Sequence, residues 1–393
     1  MKNKNFCIAI VLCVVVSLSC KKNNRNQESS NTTDDFVNRI AIAEVPEDPL
    51  VIEYLKQVQG SAALLPSVEG ENIAQTFNNS IAAFAFILKG ERQRAERILD
   101  FYSSATDINN TDIRKQNFFY NGQPRGFYQS CNIATLRDES GIADRWMGDM
   151  AWLLLAYKFY EKEYISPRYS AIITLLKNLL ASFYKPVSVG GYIQSGWRKG
   201  DSYLHELNGH HEGNIDAYAV LKLCSVGSDT ITNIKSWIEN ELTTGLNNQN
   251  LPLDLYSWRT LAFGSNYVYL LNTPENDAHY RKELIFNEKK ITGFYSSADD
   301  AVNNIWVDGT AHMASGFLKY GDKQKGMFYS NRLSDMLITN IINGINVKTL
   351  PYTTNNAGVY GWVNTAKGFV SCAAWYVIVK NKLNPFGTDG FLH

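Results

Sequence analysis

Residues 145–161 read RWMGDMAWLLLAYKFYE, and residues 168–184 read RYSAIITLLKNLLASFY. The first is apolar around its whole circumference, and a helix of that kind must be buried on every side. The second is amphipathic, so one face can meet water while the other packs. Their alternation is the smallest unit of a two-layered helical protein.

The same grammar runs outward in both directions. In 72–88 the apolar residues Ile73, Phe77, Ile81, Phe84, Ala85 and Leu88 recur at helical spacing, and Lys89-Gly90 ends that helix. A second helix, Glu91 to Tyr102, follows at once, and so short a connection makes an antiparallel αα-hairpin. Further segments are 213–224 with 231–243, 254–271 with 278–289, 305–319 with 328–343, and a last helix at 366–380, about eleven in all. Buried and amphipathic members alternate, which predicts an inner ring of helices wrapped by an outer one. A solenoid shares the alternation but needs a fixed period, and none is found. Loops 120–130, 189–201, 290–304 and 352–364 gather Gly, Trp and Tyr at one rim, the first two with short alternating stretches suited to β-hairpins. The expected class is all-α, a closed toroid of helical hairpins.

The N-terminus reads differently. Lys2 and Lys4 precede an uncharged run, residues 6–18, too short to span a bilayer and placed as a signal h-region. It ends on Leu18-Ser19-Cys20, which resembles a bacterial lipobox and implies cleavage before Cys20 and lipid on that cysteine. Residues 21–34 carry no large apolar side chain and read as a tether. The expected organisation is a signal peptide at 1–19, a lipid-anchored tether at 20–35 and one domain at 36–393, in the cell envelope, with the membrane face left open.

Formal charge is zero, so nothing points to nucleic acid. Beyond the signal and Cys20 remain Cys131, Cys224 and Cys372, an odd number without CxxC spacing, expected as buried small hydrophobes. Aromatic residues make up 12%, with 22 Tyr and 8 Trp, a composition suited to stacking on sugar rings.

Five segments set carboxylates beside aromatics at the starts of inner helices: 137–152 with Asp144, Trp146 and Asp149; 210–218 with His211, Glu212 and Asp216; 253–258 with Asp254, Tyr256 and Trp258; Asp299-Asp300; and 305–312 with Trp306, Asp308 and His312. Glu212 and Asp216 share a helix face, as do Asp308 and His312. Helix capping explains any one such carboxylate, but five at one end of one architecture strain that explanation. His205, His210 and His211 with Glu206 do not follow H-E-x-x-H, so no metal is expected. Met313 is read as core.

The ordered segments Gly148-Asp149-Met150-Ala151-Trp152, His211-Glu212-Gly213-Asn214-Ile215-Asp216-Ala217-Tyr218, Leu253–Trp258, Trp306–Ala311 and Ser371–Tyr376 with Asn384-Pro385-Phe386 resemble the six-hairpin glycosidase-like superfamily over about residues 70 to 387. The resemblance implies an (α/α)6 toroid and a glycoside hydrolase, inverting, acting through two carboxylates without a cofactor, as a monomer on a carbohydrate. It implies Glu212 with Asp149 or Asp308 as catalytic residues. Substrate contacts would fall to Asp216, Asp254, Asp144, His211, Trp146, Trp197, Tyr256, Trp258, Trp306 and Trp362. The sequence departs from the family pattern at Gly213, where a His is usual and where His210 or His211 is expected to fill the space, and at Asp308, where Glu is usual. The alternatives are a glycan-binding protein on the same fold, or a lyase using His210, His211, Arg198 and Lys199.

Overall fold

The computed structural model describes residues 42–109, 118–137, 144–198, 203–205, 210–244, 251–298, 302–356 and 365–393. The expected signal peptide, the tether, the lipid site Cys20, Asp299-Asp300, Glu206, Lys199 and Trp362 lie outside them, as do the side chains of Arg198 and His205. Ile42–His393 forms one compact unit.

Twelve α-helices occur among the described residues: α1 (Pro49–Gln59), α2 (Thr76–Leu88), α3 (Arg92–Ser104), α4 (Met147–Tyr164), α5 (Ser170–Ser182), α6 (His211–Leu223), α7 (Ser228–Thr244), α8 (Asp254–Phe263), α9 (Asn272–Asn276), α10 (Val307–Tyr320), α11 (Lys323–Asp335) and α12 (Val370–Lys380). Every residue from Met147 to Tyr157 in α4 is buried, whereas α5 buries the stripe Ile172, Ile173, Leu176, Leu179 and Leu180. Periodicity therefore sorts the layers as expected.

Six helices close an inner ring, each packing on the next: α2 on α4, α4 on α6, α6 on α8, α8 on α10, α10 on α12, and α12 back on α2. Outside it α3, α5, α7 and α11 pack on α2, α4, α6 and α10, and the 3-10 segment Ser265–Leu271, against which α9 packs, covers α8. The sixth outer place is taken by α1, which packs on α12, so the two ends of the unit share one hairpin. The fold is an (α/α)6 toroid.

Several local readings are corrected. No helix was expected at α1. Residues 278–289, read as amphipathic helix, lie largely in an antiparallel hairpin pairing Arg281–Phe286 with Lys289–Phe294. Its two-residue turn, Asn287-Glu288, has φ of 46° and 64°, the left-handed backbone that a right-twisted hairpin requires. Residues 328–343 divide between the end of α11 and a strand, Ile338–Ile342, paired with Ile345–Thr349 across Asn343-Gly344. Cys131 and Cys372 are buried and unbridged as expected, but Cys224 is only half-buried.

The axis of the ring is plugged by aromatics. Trp152 of α4 meets Trp258 of α8 at 5.5 Å and Trp375 of α12 at 5.9 Å between ring centroids. Phe386, from the segment after α12, packs on Trp152 at 4.9 Å and on Trp258 at 5.8 Å. Asn384 holds that segment by donating to the Leu261 carbonyl at 2.9 Å.

Candidate active site

A cavity of ≈ 240 Å³ opens at one end of the ring, and residues at the N-termini of all six inner helices line it. Among them are Asn78 of α2, Asp149 of α4, Glu212 of α6, Asp254 of α8, Asp308 of α10 and Ser371 of α12. Each of these falls within the first three residues of its helix. One turn deeper come Trp152, Asp216, Trp258 and His312, which also line the cavity. With a rise of 1.5 Å per residue, that second tier sits about 4.5–6 Å below the first.

Capping does not account for the first tier. The cap residues of α4, α6, α10 and α12 are Trp146, His210, Trp306 and Phe369, and none makes a side-chain cap bond. Of the outer helices, α1 and α11 do carry side-chain caps, Asp48 accepting from the Leu50 N–H and Asp322 from the Gln324 N–H, whereas α3 and α5 carry none. On the inner ring the carboxylates are displaced into the helix and aimed at the cavity, while aromatic cap residues form its mouth. The positive ends of the inner helices favour negative charge there.

Electrostatics separates the acids. Burial, reinforced by Asp254, pushes the Glu212 carboxyl well above the usual carboxylate range. Burial raises Asp254 too, its own backbone N–H opposing. Asp216 is raised strongly by burial and then by Glu212, Asp254 and Asp149. Asp308 is raised by burial, but hydrogen bonds from Ser371 and Cys372 hold it back. Ser371 Oγ donates to Asp308 Oδ2 at 2.5 Å. The Oδ1 atoms of Asp216, Asp254 and Asp308 meet no hydrogen-bond partner among the described residues. Buried acceptors in that condition are costly unless something else takes them.

The structure thus brings Asp149, Glu212, Asp216, Asp254, Asp308, Trp146, Trp258 and Trp306 to one cavity. Four further expected contacts lie elsewhere. His211, beside Glu212 in α6, turns outward and stacks on Trp237 at 5.2 Å. Tyr256 packs edge-on against Tyr280, because only every third or fourth residue of α8 can face the axis. Trp197 lies under the Arg125 guanidinium, 3.3 Å from its ring centroid. Asp144 precedes the rim strand Arg145–Trp146, and its carbonyl accepts from the Gln129 N–H.

Gly213 is accounted for by its neighbours. A Cβ there would come within 2.9 Å of Met147 Cε and 3.5 Å of His210 Nδ1. His210, not His211, occupies the adjoining space, against Trp146 with centroids 3.8 Å apart. The following Asn214 is structural: it accepts from the Ile193 N–H at 2.7 Å and donates to the Ile193 carbonyl at 3.1 Å, tying a rim strand to α6.

His312, Trp152 and Ser371 were not assigned a role in the site from sequence. A signal was present. Asp149, Glu212, Asp254 and Asp308 are each followed three or four residues later by Trp152, Asp216, Trp258 and His312. That spacing puts both members of each pair on one helix face. No group of three or more His, Cys, Asp or Glu is placed to hold a metal ion among the described residues.

No protein-family model and no curated protein sequence matches the chain. Solved structures do. A glycosidase variant is 11% identical with a TM-score of 0.57, covering 84% of this chain and 94% of that one. A glycosidase variant in complex with glucose is 12% identical with a TM-score of 0.54 and the same coverage. A structure described as a novel alpha-amylase from Clostridium perfringens is 11% identical with a TM-score of 0.54, covering 86% of this chain and 99% of that one. These likenesses are of fold, and they agree with the ring of six inner helices.

Proposed function

We propose that the protein is a glycoside hydrolase acting on an oligo- or polysaccharide. The observation that carries the reading is the convergence of five carboxylates with Trp146, Trp152, Trp258 and Trp306 on one cavity. Hydrolysis of a glycosidic bond needs one carboxyl group that is protonated and one that is ionised. Environments that push two carboxyls apart supply that pair. Glu212, raised by burial and by Asp254, is the general acid that protonates the leaving oxygen. Asp308 is the base that takes a proton from the attacking water, since hydrogen bonds from Ser371 and Cys372 favour its ionised form. Asp149 is the second candidate for that role. Asp216 and Asp254 accept hydrogen bonds from sugar hydroxyls, and the Trp rings stack on the sugar. The expected stereochemical outcome is inversion, read by NMR from the first anomer released.

The test is a panel of plant, fungal and bacterial oligosaccharides incubated with residues 36–393 and assayed for new reducing ends. Release by the native protein should fall at least about 100-fold in Glu212→Gln and in Asp308→Asn. Binding without release would support the glycan-binding alternative instead. The lyase alternative is disfavoured by the lining: no Arg or Lys stands among the described residues around the cavity to neutralise a uronate, and His211, one of its candidate bases, faces Trp237.

We further propose that the protein is exported and anchored through lipid on Cys20. Labelled palmitate should enter the native chain and not Cys20→Ala, and label in the variant would end the proposal.

A further inference from the structure

His312 stands in the second tier of the cavity, on α10, and is 1% exposed. Three indoles enclose it: Trp375 at 4.4 Å, Trp258 at 5.4 Å and Trp306 at 5.4 Å between ring centroids. Neither ring nitrogen meets a hydrogen-bond partner among the described residues. Its nearest charged atom is 3.7 Å away, Asp254 Oδ1 facing Nδ1, which is too long for a hydrogen bond. Burial pushes the imidazole down to about 4, so the ring is neutral, with one nitrogen donating and the other accepting. A buried polar ring left in this way costs stability, and a core His normally finds a partner. The cavity is also closed beneath it, because Phe386 backs Trp152 and Trp258.

We infer that His312 is a substrate-binding residue that hydrogen-bonds a hydroxyl of the terminal sugar at the closed end of the cavity. The inference rests on the hydrolase reading for its substrate class and deepens it. A blind cavity accepts the end of a chain, and the ring that enters first places its far hydroxyls one helical turn below the first-tier carboxylates. A neutral imidazole can both give and take a hydrogen bond there, which suits a hydroxyl. It also tells a sugar from its deoxy analogue, since the analogue leaves the ring unpaired.

The experiment titrates residues 36–393, which contain the whole compact unit, with glucose, mannose, galactose and their monodeoxy forms, following tryptophan fluorescence. Native protein, His312→Phe and His312→Gln are compared, with circular dichroism as the check on folding. At least one sugar should bind, about 10- to 100-fold more weakly in His312→Phe and less weakened in His312→Gln, which keeps a donor and an acceptor. One deoxy position should cost the native protein that same factor and cost His312→Phe nothing further. Equal affinity in native protein and His312→Phe overturns the inference. So does a deoxy series with the same losses in both, or no binding of any sugar by the native protein. Should both variants misfold, a native deoxy series without a single weakened position overturns it as well. Reducing-end release assayed in parallel separates the two claims: His312-dependent binding without release defeats the hydrolase reading alone, and release with His312-independent binding defeats this one alone.

Discussion

Asp308 and Ser371 show how one hydrogen bond sets a role. The Ser371 hydroxyl favours the ionised carboxylate, so Ser371→Ala should raise the pKa of Asp308. A base works only when ionised, so the acid limb of the rate profile should move to higher pH, with kcat reduced about 10-fold. An unmoved acid limb would remove Asp308 from the role of base. The acids also predict a pH dependence of stability. Glu212, Asp216, Asp254 and Asp308 all have folded-state values above their unfolded ones. The folded chain therefore holds protons that the unfolded chain has released, and stability falls as pH rises from the ordinary carboxylate range toward the raised values. Thermal melts should show this decline, and Asp216→Asn should flatten it and raise Tm at neutral pH. A native Tm that rises with pH across that window would contradict the burial of these groups. Sequence made the acids legible because carboxylates at helix starts can be found by spacing. His312 was placed by spacing on one helix face with Asp308, but its role was not legible, since spacing does not show what surrounds a side chain.

Elements were legible where one period ran long and illegible where a short turn interrupted it. The stretch 150–160 could only be a buried helix. RKELIFNEKKITGF reads almost as well as helix as it does as hairpin, and the choice falls on Asn287-Glu288, whose left-handed backbone no pattern of apolar residues announces. Asn343-Gly344 was a missed signal, since Asn-Gly between alternating apolar residues marks a type I′ turn. Gly344 has φ of 79°, so Gly344→Ala should cost about 1 kcal/mol while leaving sugar binding intact. Gly309 sits closer to the site: a Cβ there would approach within 2.3 Å of Trp306 Cε3 and 2.7 Å of Leu253 Cδ2. Gly309→Ala should therefore displace Trp306 from the mouth and weaken sugar binding as well as stability. Unchanged affinity would show that Trp306 does not contact substrate.

At the scale of the molecule, a closed toroid was legible from the alternation of buried and amphipathic helices, but which helices close it was not. The sixth hairpin joins α1 to α12, residues more than three hundred apart in sequence, and no local pattern links them. Closure matters because it brings six helix N-termini to one rim and leaves an axis that must be filled. Phe386 fills it, wholly buried against Trp152 and Trp258. Phe386→Ala should cost about 3–5 kcal/mol and open the floor of the cavity. The measurement that bears most directly on the whole account is product analysis by mass spectrometry, after digestion of a glycan panel by the native protein and by Glu212→Gln. Hydrolysis through Glu212 should give fragments that have gained one water per bond broken, formed by the native protein and absent with the variant. Unsaturated fragments, or hydrolysis that survives Glu212→Gln undiminished, would contradict it.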